Sequence, residues 1–482
     1  MSTGLFSIAR SAIITHQTAL QTISQNIANA ETPGYSRQEA QLMANTPVRL
    51  AYGNVGTGVH VETIIRKRDL LLDDTYRSAA GQSGEMELRG NLLGQMEGIF
   101  GEPTDAGMSN ALDQFWSSWS DLAAAPSSSS ARAVVQQRGR QVGQLFQDYD
   151  TQLTQERTGA MERLSTTVSQ INAYAEQVAA LNGRILASES GGAPANDLRD
   201  QRDVALDALS RIAGTRVINQ QNGSTSVIIG NSMLVDGSNS RPLSVQIEVP
   251  NPMPTVTPSD LPVRIRLGNS PDKLTPLGGE LKSVVSHINT EIPGMRGRLD
   301  AMASALVSVV NTAHTTGFTF TGNTIPGTAA GNFFDAGTVA NPVRASTIKL
   351  DAAVAADVGR IAASGDINAP TDNTAAIALS NLRSANNTVS YTSPTGATET
   401  GSFLGFFRST VTTLGIDTKS AVDEATIYRT LTEQSEARRQ SVSGVSTDEE
   451  LVQMLRVQQS YAAATKLIKS ADEMLQTLLS LI

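Results

Sequence analysis

The two ends of the chain carry a regular apolar stripe with coiled-coil spacing. Within residues 3–30, apolar side chains recur alternately three and four positions apart, with one polar exception at His16. This heptad pattern predicts a single helix with one apolar seam. Thr32-Pro33-Gly34 predicts its end, because proline disfavours helix in the preceding residue and glycine favours a turn. The seam comprises Phe6, Ala9, Ile13, His16, Leu20, Ile23, Ile27 and Ala30.

Residues 446–482 repeat this pattern without an internal proline or glycine. They begin with a capping-box sequence, in which Ser446 accepts a bond from a helical N–H and Glu449 reaches back. A second apolar set lies on an adjoining face of the same helix. One partner helix cannot cover both faces. We therefore expect the terminal helices to pair and the surplus surface to contact neighbouring subunits; ordinary helices buried in a globular core are the alternative. The seam comprises Met454, Val457, Tyr461, Ala464, Ile468, Ala471, Leu475, Leu478 and Ile482, and the second face Leu467, Met474 and Leu481.

The interior is predicted to be helical on both sides of a β-rich insertion. Residues 214–277 hold short β-branched runs separated by Asn-Gly and Asp-Gly turns. Neither helical set closes a core alone, so we expect the two sets to pack together. Helices are predicted at 67–98, 107–123, 131–188, 197–212, 279–315 and 402–443, the last with a break near Gly415 and the second with Phe115, Trp116 and Trp119 as core anchors.

The predicted fold class is mainly α with a β-rich insertion, in three nested parts. The ends form an α-helical coiled coil, the body is a long-helix bundle, and the insertion is a small β domain. The predicted domains are 1–35 with 446–482 for assembly, 36–213 with 278–445 for the body, and 214–277 for the outer insertion.

Charge and composition exclude several classes of function. A net charge of −9 argues against nucleic-acid binding, which requires a basic surface. Arg66-Lys67-Arg68 is interpreted as a solvated loop or helix end. The absence of cysteine excludes disulfides and thiolate chemistry. No apolar run approaches the roughly 20 residues that span a bilayer, and no secretory signal is present, so neither a membrane contact nor a cleaved leader is expected.

No pattern indicates catalysis, a metal or a cofactor. The histidines at 16, 60, 287 and 314 lack metal-binding spacing, and neither a phosphate-binding loop nor a nucleophile elbow occurs. Ser270-Pro-Asp-Lys273 matches a Ser-x-x-Lys motif formally, but it lies in a proline-rich loop. The sequence therefore predicts a protein that is not an enzyme and has no cofactor.

Motifs at both ends resemble those of bacterial flagellar rod, hook and hook-associated proteins. Asn26 to Tyr35, with the sequence NIANAETPGY, resembles the N-terminal signature of that family, and Gln458 to Leu479 its C-terminal signature. Other stretches of the chain resemble, more specifically, the hook–filament junction proteins of that family. These are Tyr35-Ser-Arg-Gln38, Ser443 to Glu450, Asp197 to Asp203, Leu234 to Gly237 and Gly278 to Leu281.

The resemblance implies a structural subunit exported by the flagellar type III pathway and located outside the cell in the flagellum. Its implied partners are itself in a ring, the hook protein, the second junction protein and a cytosolic export chaperone at the C-terminal helix. A hook or rod subunit is the alternative, and an adhesin a more distant one. The candidate interface residues are Phe6, Ile13, Leu20, Ile23, Asn26, Ile27, Asn29, Pro33, Gly34, Tyr35, Met454, Val457, Tyr461, Ile468, Leu475, Leu478 and Ile482.

Roles can be assigned to four of these candidates. Asn26 and Asn29 either fix contacts between subunits or cap the end of the first helix locally. Tyr35 anchors the exit of the chain into the body. Tyr461, within the seam, is expected to be a core residue with its hydroxyl at the edge.

Overall fold

The two chain ends pair as long helices. In a computed structural model, α1 (Ser2–Ala28) packs along α11 (Thr447–Leu479). Ala19, Ile23 and Val457 are buried in a small apolar cluster at this contact. The predicted coiled coil is therefore confirmed. The structure describes residues 2–50, 53–101, 106–249, 261–268, 273–276, 278–320, 324–339, 341–386, 388–393 and 396–480.

A β ribbon connects α1 to the helical body. Strand β1 (Gln38–Ala44) pairs antiparallel with β4 (Val59–Arg66), with a bulge between Gln41 and Leu42. Between them, β2 (Val48–Leu50) and β3 (Gly53–Val55) form a short exposed hairpin. The ribbon packs on α1, so the N-terminal helix contacts both α11 and the ribbon.

The helical body is built round two hydrophobic cores. The first joins α2 and α3 to the first half of α4, to α7 and to the start of α10. The second joins the later half of α4 to α5 and α6. Because both cores draw on helices from the two sides of the insertion, the predicted packing of one set on the other is confirmed. The helices are α2 (Leu70–Phe100), α3 (Met108–Ala124), α4 (Ser129–Glu189), α5 (Asn196–Ala213), α6 (Gly279–Ser286), α7 (Ile292–Thr315), α8 (Ala352–Ala356), α9 (Thr374–Asn381) and α10 (Phe403–Ser443).

Aromatic anchors fill the first core. Phe115, Trp116 and Trp119 are buried on α3, as the sequence predicts, and the ring of Phe333 lies 5.3 Å from that of Trp119. The predicted break at Gly415 is wrong, because α10 is continuous through that position. A glycine in a helix interior costs only about 1 kcal/mol, and the long contact of α10 with α2 offsets this.

The insertion holds two small antiparallel sheets. Strands β5 to β8 form one sheet and β9 to β11 the other. Their inward side chains, including Val227, Ile229, Val263 and Ile265, share the second core with α4 and α5. The sheets therefore lie directly on the helices. The strands are β5 (Arg216–Asn219), β6 (Thr225–Ile229), β7 (Ser232–Asp236), β8 (Asn239–Ser240), β9 (Leu243–Ile247), β10 (Val263–Leu267) and β11 (Lys273–Leu274).

The chain between the insertion and α10 mixes short elements. Residues 279–315 form one helical rod interrupted by a π-helical turn, His287–Glu291. Beyond it the described chain alternates loops with small hairpins. These are β12 (Phe318–Thr319) with β13 (Thr328–Ala329), and β14 (Val389–Thr392) with β15 (Thr398–Gly401); turns of 3-10 helix lie at Val358–Arg360 and Leu382–Ser384.

Candidate assembly interface

A buried polar node ties the paired helices to the ribbon. Asn26 is 1% exposed, and its Nδ2 donates to the Gln38 carbonyl at 2.8 Å and to Glu450 Oε2 at 2.9 Å. Its Oδ1 accepts from the Gln38 amide at 3.0 Å and from the Tyr35 hydroxyl at 2.9 Å. These four bonds use the donors and the lone pairs of the side-chain amide. One residue therefore links α1, β1 and α11.

The structure gives Asn26 and Asn29 different roles. The side chain of Asn26 does not cap the helix locally, since its partners lie on other elements of the subunit. Asn29 does act locally, because its Nδ2 donates to the Gln25 carbonyl and its Oδ1 accepts from the Thr32 hydroxyl.

Arg37 joins the start of β1 to the start of α11. Its guanidinium pairs with Glu449 at 3.0 Å and with Glu450 at 2.7 Å, and its amide donates to the Ser443 carbonyl at the end of α10. Only half of the predicted capping box forms. Ser446 Oγ accepts from the Glu449 amide, but the Glu449 carboxylate turns to Arg37 instead of reaching back.

The signature turn docks on α5 through a close approach. Gly34 has φ +81°, and a Cβ added there would lie 2.2 Å from Val204 Cγ2, so only glycine fits. Ser36 next donates its amide and its hydroxyl to the two carboxylate oxygens of Asp200. Burial and the nearby Asp197, Asp200 and Glu450 raise the pKa of Tyr35 to about 12, so its hydroxyl stays protonated and donates to Asn26.

Below this turn, four arginines and four aspartates form a cluster of balanced charge. Arg66 pairs with Asp200 at 2.6 Å and with Asp203 at 2.8 Å. The other members come from α2, α5, α10 and the ribbon–α2 link, so the cluster joins the ribbon to three helices. Its pairs are completed by Arg68 with Asp73 (2.8 Å), Arg77 with Asp203 (3.1 Å) and Asp207 (2.7 Å), and Arg439 with Asp207 (2.5 Å).

The cluster overturns the interpretation of Arg66-Lys67-Arg68 as solvated. The side chains of Arg66 and Arg68 are only 12% and 10% exposed, and Lys67 alone extends into solvent. Burial by itself would raise the pKa of Asp203, but Arg68, Arg66 and Arg77 outweigh it and lower that pKa to about 2. The aspartate is therefore ionised over the whole neutral and mildly acid range.

The outward face of α11 stays apolar and exposed. Leu451, Val452 and Leu455 are 50%, 61% and 60% exposed, and the predicted second face at Leu467 and Met474 is half exposed as well. Within the subunit these side chains lie away from α1. Leu451, Val452 and Leu455 form an exposed apolar patch on the first turns of α11, and Leu467 and Met474 form a second patch further along the helix, with exposed polar side chains such as Gln459 and Lys466 between them.

The predicted interface residues occupy three environments. On α1, Ile23 and Asn26 are buried, whereas Pro33 and Gly34 lie on the surface. Tyr461 is 36% exposed at the edge of the α11 seam, so its prediction as a core residue is wrong within the subunit. Val457 is buried; Phe6, Ile13, Leu20, Ile27, Asn29, Tyr35, Met454, Ile468 and Leu475 are partly buried; the side chain of Leu478 and all of Ile482 lie outside the described residues.

Sequence reasoning missed the second contact face of α1. Ser11, Thr15, Ala19, Thr22 and Asn26 recur at spacings of 4, 4, 3 and 4, which is a helical stripe of small and polar side chains. Thr15 donates its hydroxyl to the Val59 carbonyl, and Ser11 Oγ accepts from the Val59 amide. Ser11 and Thr15 thus lie against β4, and Asn26, at the other end of the stripe, bonds to Gln38 of β1. The helical spacing of these residues could have predicted this second face.

Among the residues that the structure describes, no group of three metal-ligating side chains could hold an ion. His314 is buried with its pKa lowered by burial to about 4, and Nε2 accepts from the Ala362 amide. Residues 270–272 of the Ser-x-x-Lys motif and the side chain of Lys273 lie outside the described residues. No helix in the described ranges is long and apolar enough to cross a bilayer.

Three family models match separate parts of the chain. The model of the flagellar hook-associated protein FlgK helical domain matches residues 93–334, just over half of the chain. A flagella basal body rod protein model matches 6–35, and a flagellar basal body rod FlgEFG protein C-terminal model matches 438–481. The terminal matches cover the paired helices, and the central match covers the body and the insertion.

Full-length similarity agrees with these matches. Flagellar hook-associated protein 1 of Bacillus subtilis is 28% identical over 506 residues, covering 98% of this chain and 97% of that protein. The protein of the same name from Salmonella typhimurium is 28% identical over 324 residues, or 66% of this chain and 58% of its own length. The flagellar hook junction protein FlgK from Burkholderia pseudomallei shares the fold, with a TM-score of 0.63 at 17% identity over 77% of this chain and 100% of that structure.

The flagellar rod matches on the paired terminal helices define a structural protein of the flagellar axis. The central match and the full-length similarity place it more narrowly. The chain belongs to the flagellar hook-associated protein FlgK family.

Proposed function

We propose that this chain forms the junction ring that connects the flagellar hook to the filament, held in place by its paired terminal helices. The observation that carries the proposal is the outer face of α11, where Leu451, Val452 and Leu455 remain exposed after α1 has docked. An exposed apolar patch on a helix that already has one partner indicates a second partner. In a ring of identical subunits, that partner is a neighbouring copy.

The division of labour follows the elements. The terminal part, 1–35 with 446–482, makes the contacts along the tube; the body, 36–213 with 278–445, adapts the packing of one layer to the next; and the insertion, 214–277, faces outward. Among the candidate interface residues, those on the α1–α11 seam set the shape of the subunit end. Asn26, Gly34 and Tyr35 act indirectly, because their contacts hold the terminal helices at one orientation to the ribbon and to α5.

The proposed partners are the hook protein on one side and the second junction protein on the other. Before assembly, a cytosolic chaperone covers the C-terminal helix. The exposed side chains of Leu467 and Met474 support this, because free subunits with such a surface associate prematurely. We place the protein outside the cell, in the flagellum.

The role is mechanical rather than catalytic. The relatives are structural flagellar proteins. The polar groups that meet at the node and in the Arg–Asp cluster bond to one another, which suits a rigid connection rather than a reacting site.

Other assignments fit the observations less well. A hook or rod subunit shares the terminal matches, but it does not account for the helical-domain match at 93–334. An adhesin acting through the insertion requires an aromatic-lined groove, and residues 214–277 contain no aromatic residue.

Deletion with complementation tests the proposal. Cells that lack this chain should build hooks but release filament protein into the medium, and the intact gene should restore filaments and swimming. The same hooks, incubated with purified chain, should acquire it at their distal end, as seen by immunogold labelling. Filaments of normal number and length on the deletion strain would show that the chain is not the junction.

A further inference from the structure

A fully buried histidine lies at the joint between the two cores. His287 begins the π-helical turn and is 0% exposed. Its Nδ1 lies 3.1 Å from Glu291 Oε2, on the same turn, and its Nε2 lies 3.1 Å from Glu156 Oε1 on α4. The two carboxylates therefore hold the imidazole from opposite sides.

With both carboxylates ionised, this geometry calls for a doubly protonated ring. An ionised carboxylate offers only acceptors, so each ring nitrogen must carry a proton to bond to it. A neutral imidazole would direct one lone pair at a carboxylate oxygen inside a buried site. We propose that His287 is a pH-dependent clasp that, when charged, holds the π-helical turn and through it the β insertion against the helical body. The proposal rests on this contact and not on the junction role.

With the other charged groups nearby taken into account, a protonated His287 is the cation that balances the remaining carboxylate charge. From α2, Arg89 approaches Glu291 at 3.4 Å, and from α4 the Arg157 guanidinium donates to the Ile288 carbonyl at 2.6 Å. The cations on the flanking helices have other partners: Lys282 on α6 pairs with Glu85, and Arg296 on α7 with Asp150. Burial would lower the pKa of His287, but Glu156 and Glu291 outweigh it and raise that pKa above 6.5.

The same π-helical turn is hydrogen-bonded to the insertion. Asn289 accepts from the Val263 amide at 2.8 Å and donates to the Val263 carbonyl at 2.9 Å, so it pairs with β10 as a neighbouring strand would. Arg157 also donates to the Leu261 carbonyl. A change in the π-helical turn is therefore transmitted directly to β10, the central strand of its sheet.

The sign of the pH effect follows from the raised pKa. The unfolded chain releases the proton near pH 6.5, whereas the folded chain keeps it to higher pH. The stabilisation is therefore complete below pH 6.5 and is lost as the pH rises through the folded pKa. For each pH unit by which the folded pKa exceeds 6.5, loss of the proton lowers the protection against local opening by up to about tenfold.

Histidine NMR and hydrogen exchange on the full chain test the clasp. With four histidines, the imidazole signals of a histidine-labelled sample can be assigned by single substitutions. His287 should titrate above pH 6.5. The amides of Val263 and Ile265, with rates corrected for intrinsic exchange, should lose protection over that same range, while amides of the first core keep theirs.

Substitutions distinguish the clasp from a merely structural histidine. His287→Gln should abolish this pH dependence, and Glu156→Gln, which keeps the histidine, should shift its titration to lower pH. His60→Gln is the matched control, since His60 is exposed and bonds to Asn45. The clasp is wrong if His287 titrates at or below pH 6.5, or if exchange at β10 keeps its pH dependence in His287→Gln. Should His287→Gln fail to fold, the Glu156→Gln titration decides alone.

Discussion

Asn26 donates a hydrogen bond to Glu450 over 2.9 Å, although 424 positions separate the two residues along the chain. The bond joins the N-terminal signature to the first turn of the C-terminal helix. Since Asn26 also bonds to Gln38 and Tyr35, the ends meet at one defined register. A buried polar residue in an apolar seam fixes register in coiled coils at some expense of stability. The node supplies this function here.

Removing the amide should loosen the chain ends. Asn26→Ala removes the donor to Glu450 Oε2, whose other oxygen still pairs with Arg37, and leaves the buried Gln38 amide without its acceptor, so we expect a loss of about 2–4 kcal/mol in terminal pairing. Hydrogen exchange in α1 and α11 measures this directly. Asn29→Ala, which removes only local cap bonds, should cost about 1 kcal/mol or less. Equal effects of the two substitutions would contradict the node.

The turn after α1 should reject any side chain. Gly34→Ala places a Cβ 2.2 Å from Val204 Cγ2 and also strains a backbone with φ +81°, so it should destabilise the docking by about 2 kcal/mol or more. Gly192→Ala is the matched control, with φ +88° and open space around it. The double variant Gly34→Ala/Val204→Ala should recover the steric part in denaturant unfolding. No recovery would mean that the turn does not contact α5 in this way.

The Arg–Asp cluster should determine the acid limit of the body. The pKa of Asp203 is about 2 when folded against an ordinary 3.8. Its contribution to stability is therefore full above pH 3.8 and is lost as the pH falls towards 2. Asp203→Asn should lower the free energy of unfolding by about 3–5 kcal/mol at pH 7. Between pH 3.8 and 2, the variant should lose less stability than the native chain does.

Denaturant midpoints at pH 7, 4 and 2.5 measure the acid limit. Asp423→Asn, which breaks an exposed pair with Lys419, is the control and should change stability by about 0.5 kcal/mol or less. A variant at 203 with the acid dependence of the native chain would show that its carboxylate is not held by the arginines.

The two faces of α11 should respond differently to one substitution. Val457→Asp places a carboxylate in the buried seam and should separate α1 from α11, at a cost of several kcal/mol. Leu455→Asp places the same group on the 60% exposed face and should leave the pairing intact. Limited proteolysis of the purified subunit compares the two. Cleavage of the ends at similar rates in both would contradict the assigned orientation.

Local patterns predict much of the fold. The seams of α1 and α11 and the core anchors on α3 follow from spacing and side-chain type, because helical periodicity records which face is buried. The continuity of α10 through Gly415 did not follow, since its contact with α2 outweighs a local propensity.

The polar contacts of the site were harder to predict from the sequence, for a physical reason. Whether Arg66 lies in solvent depends on carboxylates more than 100 positions away, which no local pattern specifies. Arg68 pairs with the nearby Asp73 and also with the distant Asp203. A partial signal existed, since Asp200, Asp203 and Asp207 are three and four residues apart and share one face of α5. The pairing of Asn26 with Glu450 has no such signal, because it arises only when both ends dock.

The central claim is that assembly uses the outer apolar face of the paired ends. The most direct measurement is the amount of Leu455→Asp chain bound to hooks purified from the deletion strain, beside Ile416→Asp on the body helix α10, where the native side chain is 63% exposed. Leu455→Asp should fold, keep its helices paired and yet fail to bind, whereas Ile416→Asp should bind as the native chain does. Native-level binding of Leu455→Asp would contradict the claim.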